Sequence, residues 1–249
     1  MNNIVIAHED DDLLIIDKPS GLITHQKNIN DTQPSVVSWV IENYPELKDV
    51  GDFFIASGQK VPRTGIVHRL DKDTSGLLVI AKNNSAFAYL QKLFHDRKIT
   101  KQYVALVHGI PAKNTGTINS SLGRIGMKRT TQITGKKIVD KKEAETDYKV
   151  LKKFPAKNEV TPFEKGYSLV ELTPKTGRTH QLRVHMKSIG HPIACDFVYG
   201  EKNLPCPPEL GRLFLHAQKI SFISPSGQSI AVEADLPIGL TNFINSLQE

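Results

Sequence analysis

Apolar residues come in short runs broken by Gly, Pro, Asn and Asp, a spacing that predicts many strands and few helices. The opening runs IVIAHED and LLIIDKP read as two strands. KPSG at 18–21 ends the second, because Pro cannot donate to a ladder and Gly frees the backbone. SVVSWVIENY has helical spacing: Val36, Val37, Val40, Ile41 and Tyr44 share a face, with Pro34 beside the start. Residues 45–64 carry no period and read as an irregular connection. GLLVIAKN is a buried strand, SAFAYLQKLFHDRK a helix with Ser85 as N-cap, and KQYVALVHG again a strand. TDYKVLKKF and GYSLVELTP alternate as strands, and the centre of TGRTHQLRVHMKSIGHP is a helix ended by Gly190 and Pro192. RLFLHAQKISF and QSIAVEADLP are further strands, and LTNFINSLQE is a closing helix. Consecutive strands of this kind predict an α+β fold on a mixed, largely antiparallel sheet with flanking helices. With no internal repeat or low-complexity linker, residues 1–249 are expected to form a single catalytic-sized domain.

Composition changes the picture mainly through charge. Hydrophobic residues make up 39% and charged residues 23% of the 249, a globular profile with no run long enough to span a membrane. The N-terminus turns acidic at once, without the basic start of a secretory signal, so the cytoplasm is the expected compartment. Cys195 and Cys206 sit in no CxxC arrangement and are expected to be free thiols there. Net charge is +6, but residues 1–60 hold 4 Lys+Arg against 10 Asp+Glu, and the remainder 28 against 16. A polyanion is the natural partner of that basic remainder. Its densest part, residues 123–153, has 10 basic and 4 acidic side chains, and Arg124, Lys128, Arg129, Lys136 and Lys137 precede the first acid. Such a run suits either a phosphate-tracking loop or a solvated surface.

Two segments hold candidate chemistry. GIVHRLDKDTSGLLVIAKN sets a polar cluster, His68 to Gly76, at the entrance to a strand. Asp71, Asp73, Ser75 and Gly76 match the start of a calcium loop, but Lys82 occupies the position where such a loop needs a bidentate Glu. A turn merely capped by Asp71 and Thr74 is the alternative. In LTPKTGRTHQLRVHMKSIGHPIACD, Gly177 permits close approach and Arg178 lies at a helix N-terminus, with Arg183 and Lys187 along the helix. Arginine there can hold phosphate or carboxylate; a basic surface helix is the alternative. His180, His185 and His191 lack metal-ligand spacing, so no metal is expected. P-loop, GxGxxG, GxSxG and zinc-deaminase patterns are absent from the sequence.

Together the segments resemble the RluA-type family of RNA pseudouridine synthases. The match runs in order through DDLLIIDKPSGLITH, GIVHRLDKDTSGLLVIAKN, KITKQYVALVHG, LTPKTGRTHQLRVHMKSIGHPIACDFVYG and RLFLHAQKISF. The resemblance implies a cofactor-free enzyme that isomerises uridine to pseudouridine within RNA, breaking the ribose C1′ to uracil N1 bond and joining C1′ to C5. On that match Asp71 is the catalytic aspartate and Arg178 its guanidinium partner. Tyr103 stacks on the target uracil and takes part in removing the C5 proton, Leu182 adds an apolar wall, and Arg69 enters the RNA as the uridine flips out. Arg124, Lys128, Arg129, Arg183 and Lys187 are the expected phosphate contacts. Lys18, Pro19 and Gly21 match the first motif, with a structural role. The implied partner is ribosomal or transfer RNA, with a lean to large-subunit ribosomal RNA, and neither DNA nor membrane; a monomer is the default. Only 17 residues precede KPSG, so recognition is expected from the catalytic domain itself, without a separate N-terminal RNA-binding domain. A non-catalytic RNA-binding protein is the competing class, and an N-glycosidic hydrolase a more distant one.

Overall fold

The strand-rich pattern carries through to the three-dimensional structure. A computed structural model describes residues 4–26, 31–56, 58–126, 128–131, 139–156, 166–201, 204 and 206–248. The chain passes through β1 (Val5–Glu9), β2 (Leu13–Lys18), α1 (Val36–Asn43), a 3₁₀ turn (Pro45–Leu47), β3 (Phe53–Ala56), β4 (Gln59–Pro62), β5 (Ser75–Ala81), α2 (Asn84–His95) and β6 (Thr100–His108). It continues through β7 (Thr115–Asn119), β8 (Leu122–Ile125), β9 (Lys128–Thr130), β10 (Val139–Lys142), β11 (Glu145–Phe154) and β12 (Tyr167–Pro174). Last come α3 (Gln181–Ser188), β13 (Leu215–Ile223), β14 (Ser229–Glu233) and α4 (Ile238–Ser246). The class is α+β, as the pattern implies. The chain forms two compact units, Met1–Thr100 with Ala217–Ala234 and Lys101–His216 with Asp235–Glu249.

In the first unit the strands run in the order β1-β2-β5-β13, with β14 paired to β13. β2 pairs antiparallel with β5 from Leu13↔Ala81 to Lys18↔Gly76. Every residue of β5 is buried, which is why its sequence is a continuous apolar run and does not alternate. Gly76 has φ +114, and a Cβ there would collide with the backbone of Ala217, so no other residue fits at the start of β5. α1 opens on a capping box between Ser35 and Ser38 and buries Val36, Val37 and Val40. Ile41, expected on that face, is exposed, and Tyr44 is the C-cap, its hydroxyl donating to Glu9. Two helical turns give too narrow a stripe to bury all five. α2 is capped by Asn83, whose Oδ1 accepts from Ala86 N–H at 2.8 Å, and not by the expected Ser85. Asn83 is in extended backbone, as an N-cap requires, and is tied to Asp12 through its Nδ2. Within 45–64 the expected irregular connection contains the 3₁₀ turn and the β3–β4 hairpin.

The second unit carries the antiparallel order β6-β12-β11-β7 and a separate three-stranded sheet, β10-β8-β9. β12 alternates strictly, burying Ser168, Val170, Leu172 and Pro174. Val170 and Leu172 join Ala105, Val107, Leu182, Met186 and Ile193 in one core. A second core gathers Val104, Leu106, Phe154, Phe214, Leu240 and Phe243, bringing α4 into the unit. The basic stretch 123–153 holds more order than a loop: it contributes β9, β10, β11 and most of β8. Lys136 and Lys137 lie outside the described residues. The free-thiol expectation is corrected, since Cys195 and Cys206 form a disulfide across 11 residues of sequence. That expectation rested on compartment and the lack of a CxxC motif, whereas pairing follows from the chain returning to bring the two Cα atoms within 4.6 Å.

Candidate active site

The first unit holds the segment His68–Gly76 by its backbone. Leu70 is buried, while Arg69 on one side is exposed and Asp71 on the other is half-buried, so the loop is anchored through the apolar residue and presents the charged ones. Thr24 clasps Leu70 from both directions, its Oγ1 donating to the Leu70 carbonyl at 2.8 Å and accepting the Leu70 N–H at 3.3 Å. The KPSG turn supplies the rest. The fully buried Lys18 ammonium donates to the carbonyls of Leu22 at 2.8 Å, Pro19 at 2.9 Å and Lys72 at 3.2 Å. Gly21 N–H also reaches the Lys72 carbonyl, and Ser20 Oγ donates to the Asp73 carbonyl. Burying a cation is costly unless its donors are met, and the carbonyls of Pro19, Leu22 and Lys72 accept from this one. The structural role expected of Lys18, Pro19 and Gly21 thus becomes specific: the turn grips Lys72 and Asp73 on one side of Asp71, while Thr24 grips Leu70 on the other. His68 accepts the Val79 N–H on Nε2 at 2.9 Å and stacks on Phe94.

In the second unit β6 presents Tyr103, half-buried, opposite Leu172 of β12. Tyr103 and Tyr148 pack against the core that contains Leu182, so the expected base-facing pair is brought into one apolar cluster. Arg178 sits in the turn before α3. Its N–H donates to Gln181 Oε1 at 3.0 Å and its Nε to the Glu143 carbonyl at 3.1 Å. Gln181 organises that turn: its Oε1 also accepts from Thr176 Oγ1, and its Nε2 donates to the Glu145 carbonyl and to Thr146 Oγ1. Sequence reasoning missed Gln181, although a Gln in the first turn of a helix after TGRTH was a legible signal. His180 takes left-handed backbone, φ 56, and its Nδ1 pairs with the Tyr199 hydroxyl at 2.7 Å.

The basic candidates divide. Lys187 is exposed on α3, and Arg124 and Lys128 are exposed on the β8–β9 hairpin, with Arg129 half-buried. Among the described residues Arg124 makes a long surface contact with Asp140 at 3.7 Å. Arg183, expected to touch phosphate, faces inward. It is 5% exposed, and its Nε and Nη2 each donate to an Asp196 carboxylate oxygen at 2.7 Å. Burial pushes the Asp196 carboxyl up, but Arg183 and the N–H groups of Tyr199 and Val198 outweigh it and hold the group below its ordinary value. A buried fork bound to a carboxylate directs those two donors to holding the fold, in place of the expected phosphate contact. Among the described residues no cluster of His, Cys, Asp or Glu is arranged to hold a metal ion.

Buried histidines give a prediction on pH. Burial, then the cations Arg69 and Arg63, push His25 down to about 4; burial alone takes His108 to about 4 and lowers His185. Each folded value lies below the unfolded one, so the fold requires the neutral ring. For His25 and His108 stability is complete above about pH 6.5 and is lost as pH falls toward 4, at about 1.4 kcal/mol per pH unit each, and His185 acts in the same direction. Thermal unfolding followed by circular dichroism should show the midpoint dropping steadily across that window. A midpoint flat from pH 7 to 4.5 would contradict the assignment.

Comparison with known proteins places these features in context. A family model described as RNA pseudouridylate synthase matches residues 12–188. The chain is 37% identical over 250 residues to "Ribosomal large subunit pseudouridine synthase D" of Nitrosomonas europaea, covering 98% of this chain and 65% of that protein. It is 34% identical to "Ribosomal large subunit pseudouridine synthase C" of Buchnera aphidicola subsp. Schizaphis graminum, covering 99% of this chain and 71% of that protein. Among solved structures, "Human RNA Pseudouridylate Synthase Domain Containing 1" superposes with a TM-score of 0.71 at 25% identity, covering 99% of this chain and 95% of that one. The chain therefore spans somewhat under two thirds of the first of these bacterial relatives and about seven tenths of the second.

Proposed function

The chain belongs to the RNA pseudouridylate synthase family, and on that premise we propose that it isomerises uridine to pseudouridine within RNA with Asp71 as the catalytic group. The observation that carries this reading is the fastening of the Asp71 loop by Lys18, Gly21 and Thr24. A carboxylate that must act on a sugar or base needs a fixed position and a permanent charge, and a backbone gripped on both sides supplies the first. Carboxylates are ionised at neutral pH, which supplies the second. The target uridine is flipped out of its stack, at a cost of a few kcal/mol, and Arg69, exposed beside Asp71, takes its place in the RNA. Tyr103 stacks on the flipped uracil and assists loss of the C5 proton, with Leu182 as the apolar wall; their shared cluster supports this. Arg178 keeps the guanidinium role that the family match gives it. No cofactor is needed, since every bond broken is answered by one formed in the same nucleotide.

Phosphate contacts fall to Arg124, Lys128, Arg129 and Lys187, which position RNA without reading its sequence; Arg183 is withdrawn from that set. Large-subunit ribosomal RNA is the preferred substrate over transfer RNA, supported by the names of several bacterial relatives. We read both units as one catalytic domain, since the family match includes residues of each, working as a monomer in the cytoplasm.

The test is to incubate the protein with RNA tritiated at uracil C5, in separate ribosomal and transfer RNA pools, and count label released to water. Release with ribosomal RNA is the expected result, because C5 must exchange its proton for a carbon bond. No release from either pool, naked or as ribosome precursor, would favour a non-catalytic RNA-binding protein. Free uracil in place of pseudouridine would mark a hydrolase.

A further inference from the structure

We propose that Phe197 is a stacking platform for an unpaired base of the bound RNA, apart from the reacting uridine; the inference rests on the RNA reading above. The residue is 78% exposed, the most exposed of the large hydrophobic side chains among the described residues, and its neighbour Val198 is 39% exposed. The backbone beneath it is locked. Asp196, clamped by Arg183, accepts the N–H groups of Val198 at 3.0 Å and Tyr199 at 2.9 Å, and Gly200 N–H closes the turn on the Asp196 carbonyl at 2.7 Å. A Cβ at Gly200 would strike that same carbonyl, so the turn admits no other residue there. Tyr199 is buried, with the Arg183 guanidinium 5.1 Å from its ring centroid and its hydroxyl on His180. One aromatic is thus pinned inward while the residue two before it, Phe197, is held out in solvent. A ring presented on a rigid turn loses little freedom when a ligand covers it.

Charge around the ring selects the ligand. Lys128 Nζ donates to the Val198 carbonyl at 3.3 Å, and Arg129 N–H donates to the Tyr199 hydroxyl at 3.2 Å, which brings the basic β8–β9 hairpin against this turn. Among the described residues Asp140 answers Arg124, and Glu201 is exposed beyond the turn. An aromatic face bordered by cations fits a nucleobase flanked by its phosphates better than an apolar peptide or a second copy of the chain, which would leave the cations unanswered. The platform is sequence-tolerant, because every base has a π-face.

The test uses an RNA stem–loop transcript with 2-aminopurine in its single-stranded loop, measuring affinity by anisotropy and stacking by quenching of the 2-aminopurine. Phe197→Ala should weaken binding about tenfold, within the range of aromatic stacking losses, and abolish part of the quench. Phe197→Tyr should retain both, and thermal unfolding of the Ala variant should be unchanged, since the ring touches solvent. Binding by Phe197→Ala within twofold of the unsubstituted protein, with full quenching, overturns the inference. So does a sedimentation result in which Phe197→Ala breaks self-association while RNA affinity stays constant. If Phe197→Ala loses affinity but the unsubstituted protein releases no tritium from any RNA, the stacking role is supported and the synthase reading fails on its own.

Discussion

Asp71→Asn should eliminate tritium release from C5-labelled RNA, with a loss of at least about 10³-fold, comparable to removing a principal electrostatic or nucleophilic group from other enzymes. Asparagine keeps the size and most hydrogen-bonding capacity of the side chain but carries no charge and is a poor nucleophile. The loop should not collapse, because its fastening runs through backbone carbonyls of Leu70, Lys72 and Asp73 and the side chains of Thr24, Lys18 and Ser20, none of which changes. RNA affinity should accordingly remain within a few-fold, and thermal unfolding within a few degrees. Retention of more than about a tenth of the tritium release rate by Asp71→Asn would remove Asp71 from the mechanism. Lys18→Met separates position from charge: it should impair the rate through the displaced loop and lower stability as well, because the Pro19, Leu22 and Lys72 carbonyls lose the ammonium and Lys72 is left with Gly21 N–H.

Arg183→Met should cost about 3–5 kcal/mol of stability, because it strands a carboxylate that is wholly buried. For a chain of this length that is a fall of roughly 10 °C or more in the unfolding midpoint. Arg183→Met with Asp196→Asn, which removes both charges but keeps a side-chain oxygen to accept the Val198 and Tyr199 N–H groups, should recover most of the loss. The comparison separates the two roles considered for this arginine. A surface phosphate ligand would leave the midpoint unchanged and reduce the salt dependence of RNA binding; a buried pair does the reverse. A midpoint for Arg183→Met within 2 °C of the unsubstituted protein would return the residue to the RNA-contact set.

Much of the site was legible as motif. The KPSG turn, the Asp71 segment and KQY all fall at strand ends, and strand ends are written locally in apolar runs closed by turn residues. What the motifs did not disclose was how they support each other. That Lys18 reaches the Lys72 carbonyl, 54 residues on, depends on the β2–β5 pairing, which carries the KPSG turn to the same end as the Asp71 loop. Ser85 was the cap expected from the sequence, and Asn83 takes the role because the chain entering α2 sets Asn83 in extended backbone.

The sequence by itself determined the α+β class, the positions of most strands and helices, and the excess of cations after residue 60, because periodicity and composition act within a few residues of chain. Tertiary structure alone decided which polar groups face inward. Arg183 and Lys187 sit one helical turn apart on α3, both basic, yet one is buried on Asp196 and the other lies in solvent. Cys195 meets Cys206, and Phe197 is held outward while Tyr199 is buried, through turns closed by partners elsewhere in the chain. Desolvation and pairing depend on what the rest of the chain brings alongside, and no local pattern encodes that.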